Sequence, residues 1–141
     1  MASISRATTD AALVRTDYSN QRAWEVLLEG ALAETEDGFR AYVEIIDDPT
    51  LDALDVDGVQ AELPDDYEHS FVIIADHMSM TAPEHALLVI DLVDDPGRTF
   101  RAVPAAIQAI DNNLAIANMF FSDFAENVDP DGIFRGFPPA P

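Results

Sequence analysis

Apolar positions along the chain fall into two kinds of run. Phe71-Val72-Ile73-Ile74-Ala75 and the stretch from Ala86 to Val93 are nearly unbroken, the pattern of strands covered on both faces. A third run, Thr99 to Val103, follows across Asp94-Asp95-Pro96-Gly97, where Pro then Gly suits the middle of a type II turn. These runs predict three neighbouring antiparallel strands with the Ala86 run at the centre. Their register is open, because a type II turn does not match the twist of a tight hairpin.

The flanking segments read as material that covers this sheet. Ala11 to Asp17, centred on Leu13 and Val14, predicts a first strand. Ser19 then stands where a helix cap belongs, and Trp24, Leu27, Leu28, Ala31 and Leu32 recur at helical spacing. An amphipathic helix from Asn20 to Ala33 is expected. Phe39 to Asp47 predicts a second strand, stopped by Pro49. Asp57 and Gln60 have the spacing of a capping box for a short helix that Pro64 cuts off. His77 to His85 reads as a loop. Pro104 suits the first position of a helix striped by Ile107, Ile110, Leu114 and Ala117. Phe120, Phe121 and Phe124 continue as a short helix or bend capped by Ser122. After a turn at Asp129 to Gly132, Ile133 to Phe137 is apolar enough to dock back.

The expected fold is therefore α/β or α+β. It has a single mixed sheet of about five strands, the last three antiparallel, covered by two main helices. Residues 1–10 read as a disordered arm, 11–137 as one domain and 138–141 as a tail.

Composition changes the picture mainly through charge. The 141 residues carry 27 acids against 7 basic residues, all Arg, for a net charge of -20. From Ala41 to Gly97 there is no Arg or Lys, while fifteen acids run from Glu44 to Asp95. Such a surface repels phosphates, so nucleic acid and anionic membrane are not expected partners. A basic protein is the complementary one, and a merely solubilising surface is the plainer reading. No Cys is present, which excludes disulfides and thiolate metal sites. Met1 to Ala12 lacks an apolar core of signal-peptide length, so the cytoplasm is the expected location.

Candidate chemistry is sparse. No Gly-rich phosphate loop, C-x-x-C pair or Ser-His-Asp order occurs, and neither a catalytic residue nor a cofactor is assigned. Asp17 and Asp76 each end a predicted strand. If those strands are adjacent and parallel, the two acids would face a ligand crevice and suit Mg²⁺. The alternative for Asp17 is an acid beside a helix start. His69, His77 and His85 are spaced for loops and could approach a zinc ion only by converging with an acid such as Asp76. Asn127 to Gly132 matches half a calcium loop, but Pro138 stands where the closing Glu is required. The Asp55 to Gly58 stretch matches less well. Both read as turns and caps. Asp91, inside the central strand, calls for a partner, and Arg101 is the expected one.

Asn112, Asn113 and Asn118 crowd one helical stretch that Asn disfavours. Either an Asn side chain caps the returning Asp129 to Phe137 segment, with Arg135 held by an acid, or Asn113, Asn118 and Arg135 form a polar binding patch.

Val14-Arg15-Thr16-Asp17-Tyr18, Asn112-Asn113-Leu114-Ala115-Ile116-Ala117-Asn118-Met119 and Asp131-Gly132-Ile133-Phe134-Arg135-Gly136-Phe137 occur in this order. In them the chain resembles a family of uncharacterised actinobacterial domains of unknown function. The resemblance implies a stand-alone bacterial cytoplasmic domain and supplies no catalytic residues. The expected function is a non-catalytic, acidic protein-binding or regulatory module. Two alternatives stand beside it: an immunity-type antagonist of a basic protein, and a metal-dependent enzyme or ligand binder using the strand-end acids.

Overall fold

A computed structural model describes residues 10–137. The arm and tail expected at the two ends lie outside the described residues, apart from Asp10. Six strands form one sheet: β1 (Ala11–Arg15), β2 (Val43–Ile46), β3 (Phe71–Ala75), β4 (Leu87–Asp91), β5 (Thr99–Ala102) and β6 (Ile133–Phe134), in the order β2-β1-β3-β4-β5-β6. The pairs β1–β2, β1–β3 and β5–β6 are parallel, whereas β3–β4 and β4–β5 are antiparallel. The mixed α/β fold and the antiparallel trio agree with the apolar pattern. The strand count is one higher, because the two-residue β6 is held by pairing with Arg101 and Ala102 and carries no period of its own.

Alternation along the strands assigns side chains to two faces. Leu13, Phe71, Ile73, Leu87, Val89 and Phe100 point to one face. There α1 (Gln21–Leu32) packs Trp24, Leu27 and Ala31, and α4 (Ile107–Ala115) packs Ile107, Ile110 and Leu114. Phe121 and Phe124 of α5 (Phe121–Ala125) join them. Ala12, Val14, Val72, Ile74 and Ile90 point to the other face. It is covered by a 3₁₀ turn at Pro49–Leu51 and by α2 (Val56–Glu62), which contribute Leu51 and Val59.

Local chemistry shifts several boundaries. Asn20, not Ser19, caps α1 by accepting from the Ala23 amide at 3.0 Å. Ser19 instead bonds Asp17. Asp55 rather than Asp57 caps α2, accepting from Gly58 at 2.8 Å. Residues 77–81, expected as loop, form the helical turn α3 (His77–Thr81), because Asp76 and Ser79 make a reciprocal capping box. α5 starts at Phe121, with the Phe120 amide donating to Asp123.

α4 ends through a left-handed Ala117, φ +54°, with the Asn118 amide donating back to the Asn113 carbonyl at 2.9 Å. This is the Schellman closure that glycine usually serves. The crowded Asn side chains reinforce it. Asn118 donates to Asn113 at 2.8 Å, and Asn113 donates to the Ala109 carbonyl at 2.7 Å. Their amides thus serve the helix end and one another.

Candidate crevice at the carboxyl ends of β1 and β3

β1 and β3 are adjacent and parallel, with Leu13 opposite Ile73 and Val14 opposite Ile74. The helix after β1 packs on one face of the sheet and the helix before β3 on the other. The position beyond the carboxyl ends of the two strands is the candidate crevice, the place where α/β sheets commonly bind ligands. Asp17 lies two residues past β1, and Asp76 directly follows β3. The backbones are tied there by the Thr16 amide donating to the Ala75 carbonyl at 2.9 Å.

Both acids are engaged from within. Asp17 accepts from the amide and hydroxyl of Ser19 through one oxygen and lies 2.9 Å from His77 Nδ1 through the other. Burial opposes its charge, but Ser19 and His77 outweigh that and hold the carboxyl below its ordinary range. Asp76 accepts from Arg101 at 3.0 and 2.7 Å, one bond to each oxygen, and from the Ser79 amide and hydroxyl. Burial raises its pKa, and the Arg101 guanidinium with Ser79 brings it below the usual value. Asp76 is thus a helix cap and half of a forked ion pair.

Arg101 reaches Asp76 because β5 pairs Arg101 with Leu88, which pairs in turn with Ile74. The three form a row across the α2 face. That register corrects the expected Asp91–Arg101 pair. Asp91 is buried and accepts from the amides of Val93, Asp94 and Asp95, closing the turn between β4 and β5. By alternation it points to the opposite face from Arg101. A lone Arg inside an apolar strand was the available signal for Arg101; its true partner depends on a register that no periodicity encodes.

Arg15, the last residue of β1, is buried and supports the crevice from below. It donates to the Asp17 carbonyl at 3.0 Å and to Gln21 at 3.1 Å, and lies 3.6 Å from Asp47. Its guanidinium stacks over Tyr18 at 4.0 Å and Trp24 at 4.9 Å. Burial and the nearby Asp47 carboxylate push the Tyr18 phenol well above the ordinary tyrosine value.

On the α2 side the crevice continues into a pocket of about 300 Å³. Its apolar walls are Leu54, Val56, Ile74 and Leu88, and its polar end is Asp55, Asp76 and Arg101. His77 is oriented by Asp17, but among the described residues no hydroxyl bonds its other nitrogen. Nor do three ligating side chains converge on a metal position among the described residues. His85 contacts the Ser79 carbonyl and His69 meets Tyr67 edge to face, so each histidine keeps separate company.

The other predicted residues lie elsewhere. Arg135 is held by Glu84, Asp129 and Asp131, with bonds of 2.6 Å to each. This clamps the β6 segment to the turn before β4. Asn113 and Asn118 bond each other, and none of the hydrogen bonds of Arg135 goes to either. The Asp129 and Asp131 carboxylates of the half calcium loop are occupied by this arginine.

Among the described residues no helix is long and apolar enough to cross a membrane. No curated protein matches the chain. Residues 10–137 match the model of a family described as a domain of unknown function, DUF6924, and the chain belongs to that family.

Proposed function

We propose that the protein is a non-catalytic module that binds a basic protein in the cytoplasm, using the layer of chain that covers the α2 face. The observation that carries this reading is the one-sided charge of that layer. Between β2 and β3 it presents Asp47, Asp52, Asp55, Asp57, Asp65, Asp66 and Glu68 to solvent, with no Arg or Lys among them. Such a surface steers a cationic partner and rejects acidic ones. The pocket walled by Leu54, Val56, Ile74 and Leu88 opens in the same layer and suits the aliphatic stem of an inserted Lys or Arg. An immunity-type antagonist of a basic enzyme is one form of this reading. The state of Asp17 and Asp76 speaks against the enzymatic alternative, since their oxygens already serve Ser19, His77, Ser79 and Arg101.

The test is capture from host extract at low salt, followed by cross-linking and mass spectrometry. The expected partner is basic and cross-links to residues 47–70. It is lost from a variant with Asp52, Asp57, Asp65 and Asp66 replaced by Asn. A partner that is acidic, or that binds the variant equally well, defeats the reading.

A further inference from the structure

At the amino ends of β1, β2 and β3, the opposite end from the crevice, lies a cavity of about 290 Å³. We infer that it is a binding site for a primary aliphatic amine, whose ammonium sits between Asp111 and Asp10.

Asp111 is the strongest indication. It projects from α4 and is only 3% exposed, yet among the described residues no Arg or Lys pairs with it. Its Oδ2 accepts from the Tyr42 amide at 2.8 Å. Among the described residues its Oδ1 has no hydrogen-bond donor. A buried carboxylate left in this state is costly unless a cation joins it. Burial, with the Asp10 carboxylate nearby, holds the Asp111 carboxyl above its ordinary range. His69 lines the same cavity, and its Nε2 has no hydrogen-bond partner among the described residues. An ammonium has three donors; Asp111 Oδ1 and Asp10 offer it acceptors in one cavity, and its third proton is left to solvent.

The remaining lining defines the rest of the ligand. Ala115 and Ile116 form an aliphatic lip, and Ile116 is 74% exposed. A second hollow of about 300 Å³ shares Asn112 and Ile116 with the first and is bounded by Phe39. An alkyl chain attached to the ammonium would run from the first hollow over Ile116 toward Phe39. The net charge of -20 draws cations toward both. Inorganic metal ions are poorly served, because no three ligating side chains among the described residues converge on one point.

The experiment is an NMR titration of the intact protein at constant ionic strength with 1-aminobutane, butan-1-ol and magnesium chloride. The amine is expected to shift the amide resonances of Tyr42 and Ala115 saturably, while the alcohol and magnesium leave them in place. Asp111→Asn keeps an acceptor for the Tyr42 amide but removes the charge. It should weaken the amine by about tenfold or more, as expected for loss of a charged hydrogen bond. Ala115→Trp, at an exposed position on the lip, should block the site and is decisive if Asp111→Asn does not fold. Equal shifts with the alcohol or magnesium overturn the inference. So does a response spread over the acidic layer, or amine binding that survives both substitutions.

Discussion

The α1/α4 face and the α2 face of the sheet are built from different material. On the α1/α4 face, twenty-two of the described residues form one buried apolar cluster, including Phe71, Phe100, Phe121, Phe124 and Phe134. On the α2 face the corresponding cluster has seven and no buried aromatic ring. Its covering helix is seven residues long with Gly58 inside it, and the layer around it is acidic. A short helix of that kind is held by its cap and a few contacts, not by its own propensity. The contrast separates two tasks. One face supplies the burial that keeps the sheet folded. The other is thinly covered, charged, and carries the pocket that opens toward the crevice.

The largest effects should therefore fall on the α1/α4 face. Phe124 is fully buried, with ring centroids 5.3 Å from Phe134 and 6.4 Å from Phe100. Phe124→Ala should cost about 3–5 kcal/mol in urea denaturation. Ile90 is the fully buried centre of the α2 face. Ile90→Ala should fall near the lower end of the range for such truncations, about 2–3 kcal/mol. Equal losses at the two positions would mean that the α2 face is as tightly packed as its counterpart.

Two carboxylates at opposite ends of the parallel strands should give opposite pH signatures. Asp76 has a lowered pKa, so its contribution is present at neutral pH and is lost as pH falls from the unfolded value of 3.8 through the folded one. Asp76→Ala should cost about 1–3 kcal/mol at pH 7 through the lost Arg101 bonds and cap. The gap to the parent should close in acid. Asp111 has a raised pKa, so its ionised form is a liability in the folded state above that value, and the liability is absent below 3.8. Asp111→Asn should stabilise the protein at pH 7, with the advantage fading as pH falls. Parallel pH profiles for the two variants would contradict the contrast between an acid paired with Arg101 and one that lacks a cation.

How much of this was legible beforehand follows from the range of each interaction. The strands β3, β4 and β5 announce themselves as local apolar runs, and the stripe of α1 is equally local. The α3 turn was legible too: Asp76 to Ser79 has capping-box spacing, masked by the neighbouring histidines and Pro83. The partner of Asp76 was not legible. It depends on Leu88 facing both Ile74 and Arg101, a register fixed by the packing of the whole sheet. Asp10, His69 and Asp111 line one cavity only because the strand starts and α4 come together. Sequence separation hides such a cavity from any pattern of spacing. β1 and β3, on whose adjacency the crevice depends, are parallel neighbours in the sheet.

The smallest effect concerns the acidic layer, and its smallness is informative. Asp52, Asp57, Asp65 and Asp66 are exposed, and single neutralisations there should change stability by no more than about 0.5 kcal/mol. Their sum should still be visible through salt. With no Arg or Lys between Ala41 and Gly97, near neighbours repel. At about 0.15 M salt the screening length falls to roughly 8 Å, so the parent should melt at a higher temperature than at low salt. The variant with all four residues changed to Asn should melt at least as high at low salt and respond less to added salt. An equal salt response in both proteins would place the repulsion outside this layer. A lower melting temperature for the variant would mean that these acids hold the fold. The proposed division needs them to be dispensable for folding, so that the variant stays folded while losing a basic partner.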